Sequence, residues 1–242
     1  MSRNGPIKGV FFDLGGTLFS YRHVARRHGE LLGSTAGRLG LDDPKTLKRA
    51  YAEAIGTITR RYNELEYYLH RDLFREAFEL SLERIGSAVD RALVDWYLDE
   101  HRDSVFGCLE LKDDCLDTLR DLRERGLYLS IVSNIDDDML DPLVAREGLD
   151  RYLHHWTSSE EARSCKPHRR FFELCLEKSG LAAQEVLFVG DSPEHDIAGA
   201  ADLGMVTALI VDPELPPPLQ SGKETVAPHH TIERLAELVA LV

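Results

Sequence analysis

The sequence predicts an α/β fold, a parallel sheet with helices on both faces, interrupted once by a bundle of helices. Three observations carry that expectation. Short β-rich apolar runs at 7–13, 127–133, 186–190 and 205–211 stop at glycine or small polar residues, as buried parallel strands do when they run into loops. Helix-like stretches at 112–125, 137–146, 168–179 and 194–203 alternate with them. From about residue 20 to 106 the alternation lapses and no strand candidate occurs.

Taken in order, the first run, Ile7-Lys-Gly-Val-Phe-Phe-Asp13, ends at an aspartate followed by Gly15-Gly16. The interruption shows helical spacing instead: Leu47, Tyr51, Ala54, Ile55 and Ile58 in one segment, Leu69, Leu73, Phe74, Ala77, Phe78, Leu80 and Leu82 in another. The domain reading is therefore a core of 1–19 and 107–242 with a helical insert of 20–106. An insert placed directly after the first strand is expected over the carboxyl ends of the strands, where open α/β sheets bind ligands, and so to act as a lid. The aromatics Tyr67, Tyr68, Phe74 and Phe78 are expected in its bundle core. Pro167 and His168 open the helix that runs to Ser179, because proline suits a first helical turn. The proline-rich stretch from Asp212 to Leu219 reads as a stiff surface connection, and 231–242 as a closing helix capped by Thr231.

The chain has 242 residues with Lys+Arg 29 against Asp+Glu 42, a formal net charge of −13. Such a surface repels phosphate backbones and anionic lipid, which argues against nucleic-acid and membrane partners. No apolar run reaches the ~20 residues of a spanning helix. The opening Met-Ser-Arg-Asn-Gly-Pro lacks an apolar signal segment, so a cytoplasmic protein is expected. Cys108, Cys115, Cys165 and Cys175 form no C-x-x-C pair and are expected as reduced thiols.

Polar residues that can do chemistry collect at the predicted strand ends. Asp13 can act as a nucleophile that forms a covalent intermediate, or can initiate a turn ahead of the glycines. Ser133 and Asn134 end the second core strand and can donate to an anion, or cap the helix that starts with Asp136-Asp137-Asp138. Lys166 can neutralise a carboxylate and a phosphate oxygen together, or lie on the surface. After Val189-Gly190, Asp191 and Asp196 straddle a strand-to-helix turn. Such hard oxygen ligands suit Mg²⁺, although Ser192 and Pro193 also fit an ordinary helix start. His195 sits between the two acids and reads as a first-turn surface histidine. Arg22, Arg26 and Arg27 are available to an anion but are ordinary surface residues by type.

Together these stretches resemble the haloacid dehalogenase superfamily of aspartate-nucleophile hydrolases. The matching segments are Phe-Phe-Asp-Leu-Gly-Gly-Thr-Leu from Phe11, Val-Ser-Asn from Val132, Cys-Lys-Pro from Cys165, and Val-Gly-Asp-Ser-Pro-Glu-His-Asp-Ile-Ala-Gly-Ala from Val189. The last stretch and the Lys-Pro before it resemble the phosphatase branch, and the insert resembles that family's helical cap on a Rossmann-like core. The resemblance implies that Asp13 attacks phosphorus in a small phosphorylated metabolite, while Ser133, Asn134 and Lys166 hold the transferring group. It implies Mg²⁺ held by Asp13, the Gly15 carbonyl and Asp191, with Asp196 supporting the metal or orienting Lys166. The departure is Gly15, which stands where the phosphatase pattern has a second aspartate that protonates the leaving alcohol. Losing a positioned acid/base costs about 10²–10⁴ in rate. Three functions are compatible with this pattern: a Mg²⁺-dependent phosphatase that is slow or restricted to good leaving groups, a 2-haloacid dehalogenase, and a low-turnover module that binds a phospho-ligand or a protein.

Overall fold

A computed structural model gives the structure of the chain and describes residues 6–215, 217–220, 222 and 225–242. The first five residues of the opening segment and Pro216 of the proline run lie outside that set. Two compact units result: Tyr21–Leu109 forms one, and Glu110–Val242 with the chain up to Ser20 forms the other.

The core unit is a six-stranded sheet flanked by helices. Its strands are β1 (Gly9–Phe12), β4 (Tyr128–Ser133), β5 (His155–Ser158), β6 (Val186–Gly190), β7 (Val206–Ile210) and β8 (His230–Ile232). They lie in the order β5-β4-β1-β6-β7-β8, and every pair is parallel. A separate two-residue ribbon pairs β2 (Phe19–Ser20) with β3 (Glu110–Leu111) where the chain leaves and rejoins the core. β1 is wholly buried, as is β6, because each has sheet on both edges and helices on both faces. The side of the sheet carrying Phe11, Val132 and Phe188 packs on Phe171, Phe172 and Cys175 of α8 (Arg169–Ser179).

Register sets the active edge. Phe12 stands level with Ile131 on one side and Val189 on the other, so Asp13, Val132 and Gly190 come next, at the carboxyl ends of three adjacent strands. The chain runs outward from β1 through β4 to β5, then crosses to β6, β7 and β8. The gap between these two directions is the crevice where open α/β sheets take ligands.

The remaining core helices are α5 (Cys115–Glu124), α6 (Asp137–Glu147), α7 (Ser159–Ala162) and α9 (Ala198–Asp202). Two sequence expectations need correcting. The edge strands β5 and β8 are additional to the four strands that the apolar runs predict. Thr231 lies within β8 rather than capping a helix, and the chain beyond β8 forms a 3₁₀ segment, Leu235–Ala240. Pairing with β7 supplies Thr231 and Ile232 with ladder partners that no local signal announces. Pro167 precedes the start of α8, whose N-cap is His168.

The helical unit comprises α1 (Val24–Arg38), α2 (Pro44–Tyr62), α3 (His70–Arg84) and α4 (Arg91–Cys108). α2 begins sharply because Asp43 accepts the Lys45 N–H and Pro44 fills the first turn. Its buried face repeats Leu47, Ala50, Tyr51, Ala54, Ile58 and Tyr62 at three- and four-residue steps. Inside the bundle Phe78 stacks on Tyr97 with ring centroids 3.7 Å apart, and Tyr68 is also buried. All four cysteines are buried and free. No helix among the described residues is long and apolar enough to cross a membrane.

Candidate active site

Lys166 is the centre of the arrangement. Its Nζ lies 2.6 Å from Asp13 Oδ1, 2.6 Å from Asp196 Oδ1 and 2.8 Å from the Val132 carbonyl, so all three ammonium protons have acceptors. The residue is 3% exposed. Burial alone would lower its pKa, but the charges of Asp13 and Asp196 outweigh burial and raise it, so the ammonium stays protonated. The surface alternative for this lysine is therefore excluded.

Asp13 sits just past β1, where its N–H donates to the Val189 carbonyl at 2.8 Å and fixes the turn. Its Oδ1 also accepts the Ser133 hydroxyl at 3.2 Å. Burial pushes the Asp13 carboxyl up to about 6, and Lys166 works against that rise. The following loop is tight: Gly16 has φ 76° and donates to the Phe19 carbonyl at 2.7 Å, a conformation that favours glycine.

Asp191 and Asp196 lie on either side of a sharp turn, Pro193–Ile197, of π-helical type. Ser192 caps that turn by accepting the His195 N–H at 2.9 Å, and donates in turn to Gln220 at 2.9 Å. Asp196 is 1% exposed and both of its oxygens are engaged, Oδ1 by Lys166 and Oδ2 by the Ser192 N–H at 3.0 Å. Gly190 makes room for it: a Cβ at Gly190 would stand 2.3 Å from the Asp196 Cγ. A similar constraint acts at Gly199, where a Cβ would strike the Phe172 ring at 2.4 Å.

Asp191 differs from its neighbours because its Oδ2 is buried and has no hydrogen-bond partner. Burial, then the charges of Asp13 and Asp196, hold its carboxyl well above the usual range. One oxygen from each of Asp13, Asp191 and Asp196 lies within 4.8 Å of the others, and only one ammonium among the described residues contacts the group. An unpartnered buried carboxylate oxygen in an excess of negative charge is the donor set a hard divalent cation satisfies. Asp13 and Asp191 fit that role. Asp196, with both oxygens accepting, fits the support of Lys166 better.

The structure thus brings Asp13, Ser133, Lys166, Asp191 and Asp196 together, with Gly15 two residues from Asp13. Asn134 is also adjacent. Its Oδ1 accepts the Lys166 N–H at 2.7 Å and its Nδ2 donates to the Lys166 carbonyl at 3.0 Å, so the amide holds the Lys166 backbone and keeps one further Nδ2 proton. Arg26 and Arg27, available by type to an anion, both pair with Glu30 at the surface of α1.

Sequence reasoning passes over Lys112, which follows β3 and donates its N–H to the Leu18 carbonyl at 2.8 Å. Burial lowers its pKa while the charges of Asp212 and Asp191 oppose the shift, which adds a second lysine to the electrostatics of Asp191. A lysine between a short ribbon and a helix carries no sequence signal of that role.

Comparison with known proteins extends this geometry. The family described as haloacid dehalogenase-like hydrolase matches residues 7–204. The ribulose-1,5-bisphosphate 5-phosphatase of Halopiger xanaduensis is 30% identical over 96% of this chain and 98% of its own length. The (S)-2-haloacid dehalogenase 4A of Burkholderia cepacia is 26% identical over 98% and 95%. Among solved structures, the magnesium-bound hydrolase YfnB of Bacillus subtilis superposes with a TM-score of 0.75 at 20% identity, covering 98% of this chain and 99% of that one.

Proposed function

The chain belongs to the haloacid dehalogenase-like hydrolase family, and we propose that it is a Mg²⁺-dependent phosphatase of small phosphorylated metabolites. The observation that carries the reading is Asp191 Oδ2, buried without a partner beside Asp13. A dehalogenation needs no cation at that point, whereas phosphoryl transfer gains from one. Bound there by Asp13, Asp191 and the Gly15 carbonyl, the metal would neutralise phosphate charge as it builds in the transition state.

In this reading Asp13 attacks phosphorus through a carboxylate oxygen. The new O–P bond forms as the ester O–P bond breaks, and the leaving oxygen departs with the electron pair. Lys166 and Ser133 hold Asp13 Oδ1, and each would turn a donor from Asp13 to a phosphoryl oxygen as the phosphate enters. Asp196 fixes the ammonium from the other side. Water then attacks phosphorus of the aspartyl phosphate, releasing inorganic phosphate and restoring Asp13. Gly15 offers no side chain to protonate the leaving oxygen, so aryl and other good leaving groups are favoured. The four buried free thiols support a cytoplasmic setting.

A second reading is favoured by Gly15 together with the dehalogenase relative. As a 2-haloacid dehalogenase, Asp13 would displace halide, which leaves without a proton, and water would cleave the resulting ester. The discriminating assay uses p-nitrophenyl phosphate with and without Mg²⁺, and 2-chloropropionate with EDTA. Mg²⁺-stimulated phosphate release supports the phosphatase, and halide release in EDTA replaces it with the dehalogenase. Activity on neither substrate leaves a binding module. Asp13→Asn should remove either activity, and retained turnover would reject the nucleophile.

A further inference from the structure

We propose that Asn134 is a positioning residue that clamps the backbone of Lys166 and acts on the reaction only through the placement of that ammonium. The side-chain amide pairs with Lys166 as one peptide unit pairs with another, accepting its N–H at 2.7 Å and donating to its carbonyl at 3.0 Å, across 32 residues of sequence. The neighbouring contacts have the same direction. Ser159 Oγ accepts the Ile135 N–H and donates to the Ile135 carbonyl, both at 3.2 Å. The Asp137 N–H donates to Glu160 at 3.0 Å, and the Ser158 hydroxyl donates to the Asp137 carboxylate. The loop after β4 is therefore fastened to the segment from β5 to Lys166 along its length, with Asn134 as the fastening that touches the lysine itself.

The clamp has work to do because the Lys166 ammonium must satisfy three acceptors at fixed distances while fully buried. A long, flexible side chain holds such a position only if its own backbone is fixed. Ser133 and Asn134, adjacent in sequence, thus divide the labour: Ser133 reaches Asp13 directly, and Asn134 reaches the lysine that reaches Asp13. Displacing a catalytic group by about 1 Å costs on the order of 10²-fold in rate.

The test combines a double-mutant cycle with a measurement that needs no turnover. In the otherwise native protein, Asn134→Ala and Asn134→Asp should each lower kcat for p-nitrophenyl phosphate by roughly 10²-fold. The aspartate retains the acceptor for the Lys166 N–H but sets an oxygen against its carbonyl. In a Lys166→Met background the same changes should alter kcat by less than about threefold, since coupled residues are not additive. An undiminished effect in that background would mean that Asn134 touches substrate itself and would overturn the proposal.

The kinetic arm rests on the phosphatase reading, but a second arm does not. Acetylation of Lys166 by an amine-reactive reagent, followed by peptide mapping, should be slow in the native chain and about tenfold faster in Asn134→Ala or Asn134→Asp, the effect of losing one local hydrogen-bonded restraint. Lys112 and Lys178 serve as references in the same digest. Unchanged Lys166 labelling in both variants overturns the clamp even if the enzyme proves to be something other than a phosphatase. Inactivity of the native chain with faster Lys166 labelling would reject the functional reading and keep the clamp.

Discussion

Each unit buries a polar centre, and the two are built on opposite principles. In the core, Asp13 and Asp196 flank the Lys166 ammonium, with Asp191 beside the two carboxylates, and the ammonium keeps its charge by pairing. In the helical unit, His28 Nε2 meets the Tyr97 hydroxyl at 2.8 Å, and the His28 ring lies edge-on to His101 with centroids 5.3 Å apart. Tyr51 and Phe74 complete that layer. There burial holds the His28 imidazole down to about 4 and that of His101 to about 3, so both stay neutral. The same desolvation raises Asp13 and lowers the histidines, each toward its neutral form. What differs is the counter-charge. A buried site that must keep charge surrounds it with opposite charge, and one that needs only packing uses neutral donors and acceptors.

The largest effect should come from removing the counter-charge. Lys166→Met leaves Asp13 and Asp196 buried without their cation, and breaking a buried pair from one side costs about 3–5 kcal/mol. Chemical denaturation read out by a core tryptophan such as Trp156 would measure it. Stability equal to that of the native chain would show that solvent reaches the pocket and that the pairing contributes little.

The helical unit should respond to acid instead. The unfolded chain binds protons on His28 and His101 below about pH 6.5, whereas the folded unit resists them down to about 4 and about 3. Stability from these residues is therefore complete above pH 6.5 and is lost as the pH falls toward 4, by roughly 3 kcal/mol for each histidine. Hydrogen exchange of peptides from α1 and α4, followed from pH 7 to 4, would detect the loss. His101→Phe should flatten the profile, and an unaltered profile in that variant would assign the acid sensitivity elsewhere.

The contrast also explains what is legible in the sequence. The helical unit announces itself through spacing, because Leu47, Tyr51, Ala54 and Ile58 must repeat at helical intervals to bury one face. The central strands are equally plain, since β1 and β6 are buried on both faces and must be continuously apolar. Edge strands escape that rule: His155 is exposed and Trp156 half-buried, so β5 reads as loop until Ser130–Ser133 pair with it. Strand ends point to Asp13, Ser133 and Asp191 because a polar residue after an apolar run is visible locally. The use of Asn134 is not visible, because its partner lies 32 residues away and an amide that can hold an anion can equally hold a peptide. Gly190 reads as the end of a strand run, while its structural demand comes from Asp196 folding back against it.

A smaller effect is expected where packing alone supports the charged centre. Gly190→Ala puts a methyl group 2.3 Å from the Asp196 Cγ, and overpacking of that kind costs about 1–3 kcal/mol. The displaced carboxylate should loosen Lys166, so kcat should fall along with the melting temperature. A lowered melting temperature with unchanged kcat would show that Lys166 holds its place without Asp196.

The smallest expected change is the most informative about chemistry. Gly15→Asp adds a fourth carboxylate beside a centre that already carries Asp13, Asp191 and Asp196. If the absence of a proton donor limits turnover, hydrolysis of alkyl phosphates should rise by at least about tenfold, equal to ~1.4 kcal/mol of barrier. Hydrolysis of p-nitrophenyl phosphate should rise much less, because its leaving group needs little protonation. The ratio of the two rates cancels any general damage to folding or metal affinity. An equal change in both would mean that the missing proton donor at residue 15 does not limit turnover. Loss of both rates together with metal binding would instead show that the centre cannot hold a further negative charge. The absence of a charged side chain at Gly15 would then belong to the same charge balance that Lys166 maintains.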